Sequence, residues 1–260
     1  MFQVVAEHAV KESVENALTT AKGSVCGMTT IGTIGAGNIG AAIARLASAT
    51  DHRVILSNSR GPESLLELAG HLGSHVSAGT TEEAANADVV VVSIPFNKAW
   101  QLPRDLLSGA VVIDTMNYYP DRDGRVEELD RQETTTSLMV AEHFSGSRVV
   151  KGFNNIVFSH LIDLARPSDY ADRSTLPVGA DDLEAKTSVT ALIRDLGYDV
   201  FDAGSLAESW RFETNQPAYC LPYIGDPEAW IASSPGNRPL ETRRVTVDEL
   251  AGHLARATRA

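Results

Sequence analysis

In the run IGTIGAGNIGAAIARLASAT, residues 31–50, three glycines stand at the spacing G-x-G-x-x-G: Gly35, Gly37 and Gly40. That spacing suits a chain that leaves a strand, turns past a phosphate and enters a helix. Gly35 would permit the tight turn, Gly37 would let the backbone approach a pyrophosphate, and Gly40 would let the helix pack on the strand. The helix start, with Ala36, Asn38 and Ile39 around it, offers free N–H groups and the positive end of its dipole to the anion. The competing reading is three glycines used for packing alone, and the neighbouring elements have to decide.

A second strand, RVILSNSR, ends about twenty residues further on, where an NAD site carries an acidic residue for the ribose hydroxyls. Here the chain reads Ser57, Asn58, Ser59, Arg60, so a ribose would meet hydroxyls and a guanidinium, donors suited to a 2′-phosphate. NADP(H) is therefore the expected cofactor, with Ser64 adding a hydroxyl from the next helix; the alternative for Arg60 is a solvated loop cation.

Candidates for acid, base or oxyanion work are fewer. Asn117, Tyr118 and Tyr119 follow one strand, and Lys151, Asn154 and Asn155 end or follow the next. Asn117, Tyr118 and Asn154 are the catalytic candidates, while a solvated strand-edge position is the alternative for Lys151. Trp210 and Tyr219 could wall an acceptor pocket, with Arg211 either meeting an acidic substrate group or pairing on the surface. His71 and His75 have ligand spacing, but Gly73 would interrupt the helix aligning them, so no metal is expected. No G-x-S-x-G elbow occurs. The run DDLEAK, residues 181–186, reads as a helix start with acidic residues at its positive end.

These residues need elements to hold them. Apolar runs TTIGTIG, RVILSNS, ADVVVVSIP, GAVVIDT, SRVVKGF, TLPVGA and YDVFDAG alternate with helical segments. The pattern predicts an α/β fold: a Rossmann-type, doubly wound, mostly parallel sheet with helices on both faces and ligands at the carboxyl ends of the strands. The expected organisation is a peripheral extension over 1–27, an NADP-binding domain with the acceptor cleft over 28–213, and an irregular wrap with a final helix over 214–260. That helix carries Thr246 three residues before Glu249, a capping-box spacing.

A formal net charge of −12 argues against nucleic acid and anionic membrane surfaces as partners. Two cysteines, Cys26 and Cys220, form no disulfide framework, and no apolar run approaches the roughly 18 residues of a membrane span. A cytoplasmic protein acting on a small molecule is expected, with a homodimer left open.

Taken in order, IGAGNIG, SNSR, ADVVVVSIP, SRVVKGFNNI and VGADDLEAKTSVTALIRDLGYDVFDAGSLAES resemble the 8-hydroxy-5-deazaflavin:NADPH oxidoreductase family, the coenzyme F-420-dependent NADP reductases, from about Thr29 to Glu213. The run NYYPDRDG is similar to a bacterial branch described only as NADP-binding oxidoreductases. The resemblance implies NADP on the glycine turn, Ser59 and Arg60 on its 2′-phosphate, and Ser93, Ile94, Pro95 and Phe96 along the nicotinamide side. It implies hydride transfer between the nicotinamide and a second substrate, for which the deazaflavin coenzyme F-420 is one candidate. A small carbonyl or imine acceptor, or a non-catalytic NADP-binding or redox-sensing role, stays open.

Overall fold

A computed structural model describes residues 28–234 and 241–259; the extension over 1–27 lies outside the described residues. The elements run β1 (Thr30–Ile34), α1 (Asn38–Ala49), β2 (Arg53–Ser57), α2 (Leu66–Leu72), β3 (Val76–Ala78), α3 (Thr81–Ala85), β4 (Val89–Val92) and β5 (Val111–Asp114). Then come α4 (Pro120–Asp123), α5 (Glu127–Asp130), α6 (Thr136–His143), β6 (Arg148–Lys151), α7 (Phe158–Asp163), β7 (Thr175–Ala180), α8 (Leu183–Asp195) and β8 (Asp199–Asp202). After β8 follow 3-10 turns at Leu206–Phe212 and Leu221–Tyr223, α9 (Pro227–Ala232) and α10 (Val247–Ala255).

One eight-stranded sheet has the order β3-β2-β1-β4-β5-β6-β7-β8. Successive residues of its central strands feed two cores. Val91, Ile113 and Val150 join Ile43 and Ala47 of α1 on one face; Val90, Val92, Val112 and Val149 join Phe96, Val140 and Phe144 on the other. Burial on both faces is why the strands read as unbroken apolar runs. Gly32 adds a sequence signal of its own, since a Cβ there would fall 1.8 Å from the Ala84 carbonyl oxygen and push α3 off the sheet.

The pairings from β3 to β6 are parallel, whereas β6 and β7 are antiparallel and β7 and β8 parallel again. An apolar run records burial and not direction, so the reversal at β7 is invisible in TLPVGA. The three-residue β3, absent from the sequence expectation, is too short to give a periodic signal. Residues after 213 close the same core: Ala218, Tyr223, Val245, Leu250 and Leu254 are buried in it. The Thr246–Glu249 capping box starts α10, and Asp182 caps α8 by accepting from the Ala185 N–H.

Candidate functional site

The glycine turn joins β1 to α1 at the carboxyl edge of the sheet. Gly35 has φ +112°, which favours glycine, and its N–H donates to the Ser57 carbonyl at 3.0 Å. A Cβ on Gly40 would stand 2.1 Å from the Gly35 carbonyl oxygen, so α1 can approach β1 only without one. Gly37 differs from both: it is exposed, extended at φ −76°, and its Cβ position faces open space. Among the described residues no side chain caps α1, which leaves its first N–H groups turned towards that space. Asn38 is exposed beside it, while Ala36 and Ile39 pack partly against the core.

At the end of β2, Ser57 is buried and donates to the Thr33 carbonyl at 2.7 Å, so its hydroxyl serves the sheet. Ser59 and Arg60 are exposed. Their loop is held by Asn58, whose Oδ1 accepts from the Arg60 N–H at 2.8 Å and whose Nδ2 donates to Ser64 Oγ at 3.0 Å. Ser64 Oγ donates to the Gly61 carbonyl at 2.8 Å. Among the described residues no carboxylate pairs with the Arg60 guanidinium, which stays available to an anion.

A cleft of about 1470 Å³ opens beside the glycine turn. Gly37, Asn38 and Ile39 line one end; Ser93, Ile94 and Pro95 after β4, Thr115, Met116 and Asn117 after β5, and Asn154 and Ile156 after β6 form the floor. Tyr119, Phe158, Tyr219, Leu221 and Trp230 supply the far wall. Phe96 does not join this lining. It is fully buried against Trp100 and Tyr118, because the chain enters a 3-10 turn after Pro95 and rotates the ring into the core.

Two of the three catalytic candidates meet. Asn117 Nδ2 donates to the Asn154 carbonyl at 2.8 Å, and Asn154 Nδ2 donates to Asn117 Oδ1 at 3.2 Å and to the Phe212 carbonyl at 2.9 Å. Since Nδ2 is committed to a carbonyl, Asn154 Oδ1 is the acceptor end, and it is buried without a partner among the described residues. Tyr118 turns away: its hydroxyl donates to Asp130 at 3.0 Å, accepts from the Val126 N–H, and lines a second cavity.

That second cavity, about 360 Å³, adjoins the cleft, and Tyr119 and Tyr219 wall both. Their hydroxyls are hydrogen-bonded to each other, a contact across a hundred residues. Burial raises both phenols above the ordinary tyrosine range, and Cys220 pushes Tyr219 further, so both stay protonated. Trp210 faces the second cavity beneath the Arg259 guanidinium, and Arg211 is engaged by Glu208 at 3.1 Å and the Ala203 carbonyl. Neither residue reaches the cleft lining.

Lys151 is no strand-edge cation. It is fully buried, with Nζ 3.1 Å from Asp114 Oδ2, 2.9 Å from Thr136 Oγ1 and bonded to the Met116 carbonyl. Asp114, Thr136 and Glu213, which complete this network, carried no sequence signal beyond their residue type.

Residues 30–118 match the family model described as NADP oxidoreductase, coenzyme F420-dependent. A hypothetical protein from Sinorhizobium meliloti is 30% identical with a TM-score of 0.66, over 75% of this chain and 94% of that one. The chain belongs to the F420-dependent NADP oxidoreductase family. Rat (Rattus norvegicus) metalloreductase STEAP3 is 30% identical over 186 residues, 70% of this chain, which spans only 35% of that protein's length. A structure from Arthrobacter sp. FB24, provisionally named an F420-dependent NADP reductase, shares the fold at 22% identity and TM-score 0.58, over 69% of this chain and 86% of that one.

The family is one of NADP oxidoreductases, and the chemistry of the donor set can be tested against that cofactor. Open space at Gly37, an uncapped helix start and an unpaired arginine at the end of β2 suit a pyrophosphate and a 2′-phosphate. Among the described residues no helix is long and apolar enough to cross a membrane, and no group of three His, Cys, Asp or Glu could hold a metal.

Proposed function

We propose that this protein is an NADP(H)-dependent oxidoreductase that moves a hydride between the nicotinamide and the flat ring of a deazaflavin coenzyme. One observation carries the reading. The cleft runs from the glycine turn to an aromatic and aliphatic wall, and the sole charged residue lining it among the described residues, Arg122, is already paired with Asp123 at 2.8 Å.

In this reading the backbone at Gly37 and the start of α1 hold the pyrophosphate, and Ser59 and Arg60 hold the 2′-phosphate. Ser93, Ile94 and Pro95 flank the nicotinamide. The bound dinucleotide supplies the hydride, and the protein supplies stacking geometry and exclusion of water. A carbonyl acceptor would place growing charge on one oxygen and call for an acid beside it, whereas a conjugated ring spreads the charge. A neutral wall built from Tyr119, Phe158 and Leu221 suits the ring. Asn154 closes the floor beneath it, its Nδ2 held by Asn117 Oδ1 and the Phe212 carbonyl.

The test mixes the protein with NADPH and a deazaflavin and follows the absorbance of both. Coupled loss of NADPH and of oxidised deazaflavin is expected. Turnover of small ketones or imines with an inert deazaflavin would overturn the acceptor, and absence of NADPH binding would overturn the cofactor.

A further inference from the structure

A fully buried lysine is expensive where an apolar side chain of similar size would pack, so its ammonium must hold something that needs holding. The groups facing Lys151 Nζ come from three directions. Asp114 ends β5, Thr136 opens α6, and Glu213, whose Oε1 lies 4.0 Å from Nζ, follows the turn at Leu206–Phe212. Thr136 Oγ1 accepts from Nζ and donates to Glu213 Oε1 at 2.6 Å, which joins the two ends of the network. Ser137 Oγ donates to Asp114 Oδ2 at 2.6 Å, and Asp114 Oδ1 accepts from the Met116 N–H at 2.9 Å.

Both backbone groups of Met116 are therefore held by charged, buried side chains: its N–H by Asp114 and its carbonyl by Lys151. This residue lies beyond the end of β5, where no strand ladder is available, and it lines the floor of the cleft with Asn117. A turn tied at both ends by buried ionic hydrogen bonds has little freedom to shift.

We propose that Lys151 is the positioning residue of the cleft floor, fixing the Met116–Asn117 peptide against which the reacting rings lie, with Thr136 anchoring its ammonium. This rests on the hydride-transfer reading above. Geometry is the quantity at stake, because misplacing reacting atoms by about 1 Å can cost on the order of 100-fold in rate.

The experiment compares Lys151→Met, Thr136→Val and Thr136→Ser with the unmodified protein. Valine keeps the shape of Thr136 but loses the hydroxyl, freeing the ammonium to move towards Glu213 and away from the Met116 carbonyl; serine keeps the hydroxyl. Three quantities are read: amide hydrogen exchange over residues 114–118, NADPH affinity by cofactor fluorescence, and the single-turnover hydride rate with NADPH and with NADPH deuterated at C4. Lys151→Met and Thr136→Val should speed exchange at 114–118 and slow the hydride step by about tenfold or more. NADPH affinity should stay within about threefold, because the phosphate contacts lie elsewhere, and Thr136→Ser should restore all values. Should Lys151→Met fail to fold, Thr136→Val decides alone. Unchanged exchange at 114–118 in a folded Thr136→Val variant, or an unchanged hydride rate, overturns the proposal. If the unmodified protein neither binds NADPH nor transfers a hydride, the functional reading fails, and the exchange arm still decides whether the network holds the peptide.

Discussion

A Cβ placed on Gly35 would stand 2.1 Å from the carbonyl oxygen of Ser93. The turn after β1 and the loop after β4 thus touch backbone to backbone, and the two lips of the cleft are fixed relative to each other. Ser93 cannot retreat freely, since its own N–H donates to the Ile34 carbonyl at 2.9 Å. Gly35→Ala combines this clash with a left-handed φ and should lower stability by about 2 kcal/mol or more. Thermal unfolding would measure it, and a variant as stable as the unmodified protein would refute the contact.

Gly37→Val should behave in the opposite way. Its φ of −76° is allowed to valine and nothing lies within 4 Å of the Cβ position, so the fold should survive with a loss of about 1 kcal/mol for the poorer helix cap. NADPH binding should nevertheless fall by about tenfold or more, because the methyl groups take space the pyrophosphate would fill. Titration of cofactor fluorescence on folded variant checks this; unaltered affinity would make the glycine structural only.

The glycine turn is legible in the sequence because Gly35 and Gly40 answer local constraints within one strand-to-helix unit, a positive φ and a close approach of helix to strand. Arg60 is legible for the same reason: its place at the end of β2 is counted from the turn. The cleft floor is not. Asn117 and Asn154 meet through the pairing of β5 with β6, and Tyr119 meets Tyr219 across a hundred residues. RVVK reads as a strand running out to solvent, whereas Asp114 on the neighbouring strand, Thr136 and the Met116 carbonyl together hold Lys151 inside. The family resemblance implies Phe96 on the nicotinamide side, whereas the local turn after Pro95 sends its ring into the core.

Asp123 gives a pH prediction. Burial would raise its carboxyl, but hydrogen bonds from Arg122, the Tyr119 N–H and the Asn97 N–H together hold it below the ordinary aspartate range. A carboxyl depressed in the folded state contributes stability above its unfolded pKa and loses it as pH falls through the folded value. Asp123→Asn should therefore destabilise by about 1–3 kcal/mol near neutral pH, the range for a lost hydrogen bond to a charged partner. The difference from the unmodified protein should shrink as the pH falls below about 4. Urea unfolding at several pH values measures it, and a constant difference would remove Asp123 from the acid response.

Arg60 is the sharpest test of cofactor choice. It is exposed, no carboxylate among the described residues pairs with it, and its backbone N–H is held by Asn58 Oδ1, which fixes where the side chain starts. A 2′-phosphate there would gain a charge-assisted hydrogen bond worth roughly 1.5–3 kcal/mol, or about one to two decades of affinity, that NADH cannot gain. Arg60→Ala should remove most of the preference for NADPH while leaving NADH affinity within about twofold, since the rest of the dinucleotide contacts other residues. Arg60→Lys should retain part of the preference, because a point charge replaces the planar fork. The preference should weaken as ionic strength rises, because the contact lies at an exposed surface. Binding of both dinucleotides to all three proteins, at low and high salt, separates these effects. Equal affinities for NADPH and NADH in the unmodified protein would place the 2′-phosphate elsewhere and leave the guanidinium a surface cation.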